Sequence, residues 1–202
     1  MLKLRSKHII GIAVVGVNIA ALTLPMLATA QTANSTVSLS VQPVLITYTT
    51  SGTVTLGPLT PTSGGMQSIA GDTISTNTND AAGLNVTLQA STASTALTSG
   101  GNTIPATTGT PAAPIALASN TWGWRVDSLT AGFTAGPTSA VTSSAPVATK
   151  FAALPASGSA YTIENTSSSG SATADVWYSA DVTTAQATGS YSNTVLYTAT
   201  LN

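Results

Sequence analysis

Beyond residue 30, apolar and polar side chains alternate with a period of two over much of the chain. Val37, Leu39 and Val41 alternate with Ser38, Ser40 and Gln42. Val54 and Leu56 alternate with Thr53 and Thr55, and Leu84, Val86 and Leu88 with Asn85, Thr87 and Gln89. Trp122, Trp124 and Val126 alternate with Thr121, Gly123, Arg125 and Asp127. Ala174, Val176, Tyr178, Ala180 and Val182 interleave with Asp175, Trp177, Ser179 and Asp181. Tyr191, Asn193, Val195, Tyr197, Ala199 and Leu201 continue the rhythm to the end. Successive strand side chains point to opposite faces, so each run predicts a strand with one face for a core and one for water. Thr suits the wet face, because its branched Cβ favours extended backbone and its hydroxyl stays hydrated without charge.

Gly, Pro, Ser and Asn separate these runs, at Gly57-Pro58, Ser63-Gly64-Gly65, Ser99-Gly100-Gly101 and Ser167 to Gly170. Such residues supply turn conformations. No capped amphipathic helix is evident after residue 30. The pattern predicts an all-β fold, an antiparallel Ig-like β-sandwich of about seven to ten strands. A β-barrel or β-helix is the alternative, although no fixed repeat of 20–50 residues is visible. Residues 90–120 and 130–148 are Thr/Ser/Ala-rich with little periodicity, and read as long loops at one end of the sandwich or as extra edge strands. The expected core includes Trp122, Trp124, Val86, Leu88, Val176, Tyr178, Val195 and Tyr197.

Residues 1–30 have a different character. Lys3, Arg5 and Lys7 precede an apolar stretch from Ile9 to Leu24, and Pro25 and Ala28-Thr29-Ala30 follow. A basic start, an apolar centre and a small-x-small end predict a helical secretory signal peptide, cleaved between Ala30 and Gln31. The competing reading is an uncleaved anchor, against which Asn18 interrupts the apolar stretch. Residues 31–202 are then a single exported sandwich domain, secreted or held at the cell surface, with no membrane segment after cleavage.

Composition narrows the chemistry. The chain of 202 residues holds 37 Thr, 25 Ser and 32 Ala, and only 5% of it is charged, against about 25% in ordinary proteins. Without Cys, disulfides, thiolate metal sites and Cys nucleophiles are impossible. The leader also takes His8 and three of the five basic residues. What remains has two cations, Arg125 and Lys150, against six carboxylates, a formal net charge of −4. Two cations cannot neutralise a run of phosphates, so nucleic acid is not an expected partner. A Ser-His-Asp triad and a His-ligated zinc are likewise excluded from residues 31–202.

The remaining candidates are few. Asp175 and Asp181 share a strand face but stand about 20 Å apart along it, and read as solvent-side charges rather than a glycosidase pair. Asn77-Thr78-Asn79-Asp80, with Gly83 and nearby Asp72, offers oxygens for calcium, but too few carboxylates for the usual set, so a plain Asn/Asp turn is the competing reading. Lys150, Asn193 and Glu164 are the residues that a Lys–Asn isopeptide crosslink would use. Asn34, Asn85 and Asn165 begin glycosylation sequons. Leu154-Pro155-Ala156-Ser157-Gly158 is internal and reads as a loop rather than a sorting signal. No catalytic residue, metal or cofactor is expected.

The segment Gly189-Ser190-Tyr191-Ser192-Asn193-Thr194-Val195 resembles the closing strand of spore-coat-U-like and fimbrial-type domains, which carry a Gly-x-Tyr-x-x-Thr-Val pattern. Together with Ser75-Thr76-Asn77, Gly83 to Leu88 and Asn120 to Asp127, it resembles uncharacterised secreted Ig-like surface proteins of candidate-phyla-radiation bacteria. It is also similar to WxL-type cell-wall-binding domains, although Trp122-Gly123-Trp124 lacks the Leu and the C-terminus lacks a second Trp motif. The resemblance implies a β-sandwich at the cell surface and names no catalytic residue.

These readings predict a non-enzymatic structural or adhesive surface protein, whose partners are copies of itself or cell-envelope components. Residues 31–41 could serve as a donor or edge strand in a pilus-like polymer formed by β-strand addition. The alternative is a carbohydrate- or cell-wall-binding module that stacks a glycan on Trp177, Trp122 or Trp124. Trp177 has the outward parity; Trp122 and Trp124 share the parity of the core.

Overall fold

The computed structural model describes residues 36, 38–49, 52–127, 133, 140–143 and 148–202. The leader, its cleavage site at Ala30 and Gln31, and Asn34 lie outside the described residues. So does most of the 130–148 stretch.

Two antiparallel sheets face each other. The larger contains β1 (Leu45–Thr49), β2 (Met66–Thr78), β11 (Gly170–Val182) and β7 (Thr121–Val126), in that spatial order. A short β8 (Val141–Ser143) pairs with the start of β2, beyond the reach of β1. The smaller sheet has β3 (Leu84–Ala90) at its centre, between β10 (Tyr161–Asn165) and β12 (Val195–Leu201). Two two-stranded pieces complete the fold. They are the hairpin of β4 (Leu97–Ser99) with β5 (Asn102–Ile104), and the pair of β6 (Ile115–Ala116) with β9 (Lys150–Phe151). The described residues are therefore all-β and antiparallel, and their sheets pack as a sandwich. The twelve strands exceed the expected seven to ten because residues 90–120 contribute β4, β5 and β6. That stretch is edge structure rather than a long loop.

The alternation works as period-two patterning demands. Ala174, Val176, Tyr178, Ala180 and Val182 of β11 enter the core with Trp122, Trp124 and Val126 of β7. Leu84, Val86 and Leu88 of β3 meet them from the other sheet. Of the expected core, Val195 and Tyr197 are half-buried and the other six are buried. Trp124 lies edge-on to Tyr161 at 5.7 Å between centroids, which ties β7 across to β10. Edge-to-face rings add to their area burial through their quadrupoles.

One end of the larger sheet is covered on both faces. From Tyr178 to Val182 every residue of β11 is buried, and so is every residue of β7 after Thr121. The covering chain bonds to the open edge of β7. Thr107 N–H donates to Trp122 O at 2.7 Å, and Ala152 N–H to Trp124 O at 2.8 Å. Ile69, Leu117 and Phe151 form a second small core on this outer face, with Trp177 against it. A Cβ on Gly123 would stand 2.8 Å from Ala152 O and 2.9 Å from Phe151 Cβ, so only glycine lets this layer approach. Asp181 is not the solvent-side charge that its parity predicts, since Gly65 lies against its carboxylate. Asp181 is 1% exposed, whereas Asp175, farther along the same face, is exposed.

Residues Val41–Asn202 form one compact unit. Before it, Thr36 and Ser38–Ser40 are exposed and belong to no strand. Val54 and Leu56 also lie outside any strand, contrary to the pattern. Gly57 turns the backbone to φ +49°, and Pro58 and Pro61 remove N–H donors. No helix among the described residues is long and apolar enough to cross a membrane.

Candidate functional site

The two sheets do not close on each other along the β12 side. A groove of about 1070 Å³ opens there. Its floor is Trp122, Tyr178, Ala180 and Val182 of the larger sheet, with Leu97 and Ile104 of the β4–β5 hairpin. Trp122 stacks on Tyr178 with ring centroids 6.4 Å apart. Val195 and Tyr197 of β12 line it from the smaller sheet. One wall is the segment from Gly52 to Pro61, hereafter the strap, and the other is the loop from Gln186 to Thr194.

The two walls are held very differently. In the loop, Gln186 Nε2 donates to the Tyr191 hydroxyl at 2.7 Å and to Thr103 O at 3.2 Å. The Tyr191 hydroxyl donates to Ala187 O at 2.8 Å. Ser192 and Thr98 exchange a pair of backbone hydrogen bonds, each 3.0 Å. Asn193 Nδ2 donates to Ser94 O and Ala96 O. Thr53, at the start of the strap, is engaged, and beyond it the strap rests on side-chain packing. Val54, Leu56 and Leu59 lie half-buried against the core. From Val54 to Pro61 no hydrogen bond to any described residue is made.

Two hydroxyls tie the sheets together in the groove. Tyr178 of β11 and Tyr197 of β12 bring their hydroxyl oxygens to 2.5 Å. Asp72 of β2, 8% exposed, lies on the same inner face. Burial raises the Tyr178 phenol well above its ordinary value, and the charges of Tyr197 and Asp72 push the same way. Burial also raises Tyr197. Both phenols therefore stay neutral at physiological pH, able to exchange hydrogen bonds but unable to act as phenolate bases.

The predicted site residues separate. Trp122 is 2% exposed and Trp124 is fully buried. Their indole N–H groups donate to Thr95 O and Ala153 O, each at 2.9 Å. At these exposures neither offers the open ring face that a stacking platform needs, although Trp122 lines the groove floor. Trp177 does point to the outer face, but the second layer reaches it there. It lies over Gly71, where a Cβ would come within 2.7 Å of the indole Cε3. Its Nε1 is buried without a partner.

The Asn77–Asp80 turn is occupied by its own backbone. Asp80 Oδ1 accepts from Ala82 N–H at 2.8 Å, and Asn79 Oδ1 from Val44 N–H at 2.6 Å. Asp72 belongs instead to the sandwich interior. Among the described residues, no group of three His, Asp or Glu side chains is placed to hold a metal. Lys150 is exposed on β9, while the Asn193 amide is engaged by Ser94 and Ala96, so the structure does not bring the isopeptide candidates together. Glu164 on β10 has its carboxyl raised by partial burial.

The signal missed in sequence was the groove itself. Its walls come from residues 52–61 and 186–194, which only the fold brings face to face. Comparisons with protein-family models, curated proteins and solved structures find no match to this chain.

Proposed function

We propose that this is a non-enzymatic structural or adhesive protein of the cell surface, which assembles with copies of itself by β-strand addition. The observation that carries this reading is the exposure of large apolar side chains ahead of the sandwich. Leu39 is 87% and Val41 72% exposed, two residues apart in an uncharged stretch. One strand face of that stretch is thus apolar and uncovered, and such a face gains by entering another surface. The edge of β12 supplies a matching opportunity, because among the described residues β12 pairs only with β3. An unpaired edge presents a row of N–H and C=O groups that an added strand can satisfy. Export fits the leader-like residues 1–30, and the absence of His and Cys beyond them fits a role in contact rather than catalysis.

The test is the solution mass of residues 31–202 across a concentration series, by light scattering after gel filtration. Oligomers that grow with concentration and vanish in Leu39→Asp support the reading. A monomer at millimolar concentration refutes it.

A further inference from the structure

The assembly reading leaves open where an added strand would go, and the strap answers it. The strap and the segment before the sandwich share a short pattern. Thr36-Val37-Ser38-Leu39 and Thr53-Val54-Thr55-Leu56 both read Thr-Val-x-Leu, with Ser or Thr at the variable position. The Val-x-Leu pair of the second copy of this motif already packs against the core at the groove, through Val54 and Leu56. The Leu of the first copy stands in solvent.

Resting on that reading, we propose that the groove is the acceptor for residues 36–41 of a second molecule, which enter by displacing the strap at Thr53–Gly57. The apolar contacts are conserved in such an exchange, since Val replaces Val and Leu replaces Leu. Val41 adds a third apolar group in register, where the strap has only Pro58 and Leu59 after its glycine. The backbone gains more. The strap from Val54 to Pro61 makes no hydrogen bond to a described residue, and its Gly57 and two prolines prevent a regular ladder. Residues 36–41 contain neither Gly nor Pro, so they can lie extended and pair with the edge of β12 that no described strand pairs with.

No charged residue lies between Gln31 and Val44, so the entering strand needs no ion desolvated. The opposite wall remains in place because Gln186, Ser192 and Asn193 pin it to the β4–β5 hairpin and the segment before it. A donor at one site and an acceptor at another make a head-to-tail contact, which continues into an open chain of molecules where the exchange is not reciprocal and its rotation does not close a ring. The strap then holds, through Val54 and Leu56, the places beside the groove that the donor takes.

The absence of Cys permits a clean test. A Cβ at Gly57 would lie 3.7 Å from Ser68 Oγ, so Gly57→Cys with Ser68→Cys brings two thiols within reach of a disulfide; because Gly57 stands at φ +49°, where a side chain is strained, the reduced double variant is the reference for the oxidised one. The oxidised variant is expected to assemble at least tenfold more slowly than the reduced one, and to recover on reduction. Leu56→Ser, which loosens the strap, is expected to assemble faster. Hydrogen exchange on wild-type assemblies supplies a readout free of substitutions. Amides of residues 37–41 should gain protection on assembly, and those of residues 54–57 should not. If wild type never assembles, the assembly reading itself fails. If it assembles through Leu39 but the locked strap changes nothing, or residues 54–57 gain protection with the donor, the strap mechanism is overturned and the assembly reading survives.

Discussion

Removing either hydroxyl of the Tyr178–Tyr197 pair should have unequal consequences. Tyr178 is 6% exposed, whereas Tyr197 is half-buried on the groove. Tyr197→Phe leaves the Tyr178 hydroxyl buried without this partner, at a cost of about 1–3 kcal/mol. Tyr178→Phe leaves the Tyr197 hydroxyl where groove water can replace the lost bond, so the cost falls to about 0.5–1.5 kcal/mol. The double substitution removes both polar groups together. It should cost no more than Tyr197→Phe alone, so the singles should exceed the double by roughly 1 kcal/mol in a double-mutant cycle. Urea unfolding reads these differences as midpoint shifts at constant slope. In thermal melts each 1 kcal/mol corresponds to about 2–4 °C for a chain of this size. Strictly additive costs would refute the reasoning, as would a larger loss from Tyr178→Phe. Either result would mean that the hydroxyls do not rely on each other across the sheets.

Other expectations follow from the second layer and the turns. Gly123→Ala should destabilise by about 1–3 kcal/mol, because its Cβ meets Ala152 O and Phe151 Cβ. Gly101→Ala, with open space around it, should stay within about 0.5 kcal/mol in the same denaturant series. Burial raises the Asp181 carboxyl, so the folded state holds its proton more tightly than the unfolded chain does. The associated stability is present at low pH and is lost as pH rises through and above the usual carboxylate range. Asp181→Asn should remove that decline from a melting-temperature profile; Glu164, raised in the same direction, remains in both proteins. An unchanged profile would count against it. With Trp122 and Trp124 in the core and Trp177 under the second layer, glycan titration should leave tryptophan emission unmoved, and a saturable shift would restore the carbohydrate reading.

The legibility of the fold in sequence follows the size of inward side chains. Strands β3, β7, β11 and β12 announce themselves because Leu, Val, Trp or Tyr, joined in β11 and β12 by Ala, recur at alternate positions. The long β2 does not, because its inward positions include Ser68, Ala70, Asp72, Thr76 and Thr78, whose polarity hides the period. Its partner β11 buries those positions by register, a long-range effect that no local window contains. Conversely Val54 and Leu56 carry the strand pattern without the strand, since packing against the core needs only the alternation, and the ladder is denied by Gly57 and the prolines. The buried Asp181 was hidden for a related reason, because parity tells which face a residue is on and not whether that face is covered. Trp122 and Trp124 followed their parity into the core. The groove was the least legible feature, although the recurrence of Thr-Val-x-Leu at residues 36 and 53 was available as a sign that two segments compete for one berth.

The ion pair that buried Arg125 makes with Asp127 at the surface has a bearing on how the outside behaves. Arg125 is fully buried, with Nε and a terminal nitrogen on Asp127 Oδ1 at 2.9 and 2.8 Å and its Nη1 on Lys150 O. Of the two basic side chains beyond residue 30, that leaves only the Lys150 ammonium at the surface, and Asp72 and Asp181 are withdrawn from the acidic side as well. Dissolved ions therefore find few charges to screen. Contacts made by Thr, Ser and exposed apolar groups should therefore not weaken as salt rises, and the apolar ones gain from salts excluded from the protein surface, so contacts through this surface would survive salinity that dissolves charge-based ones.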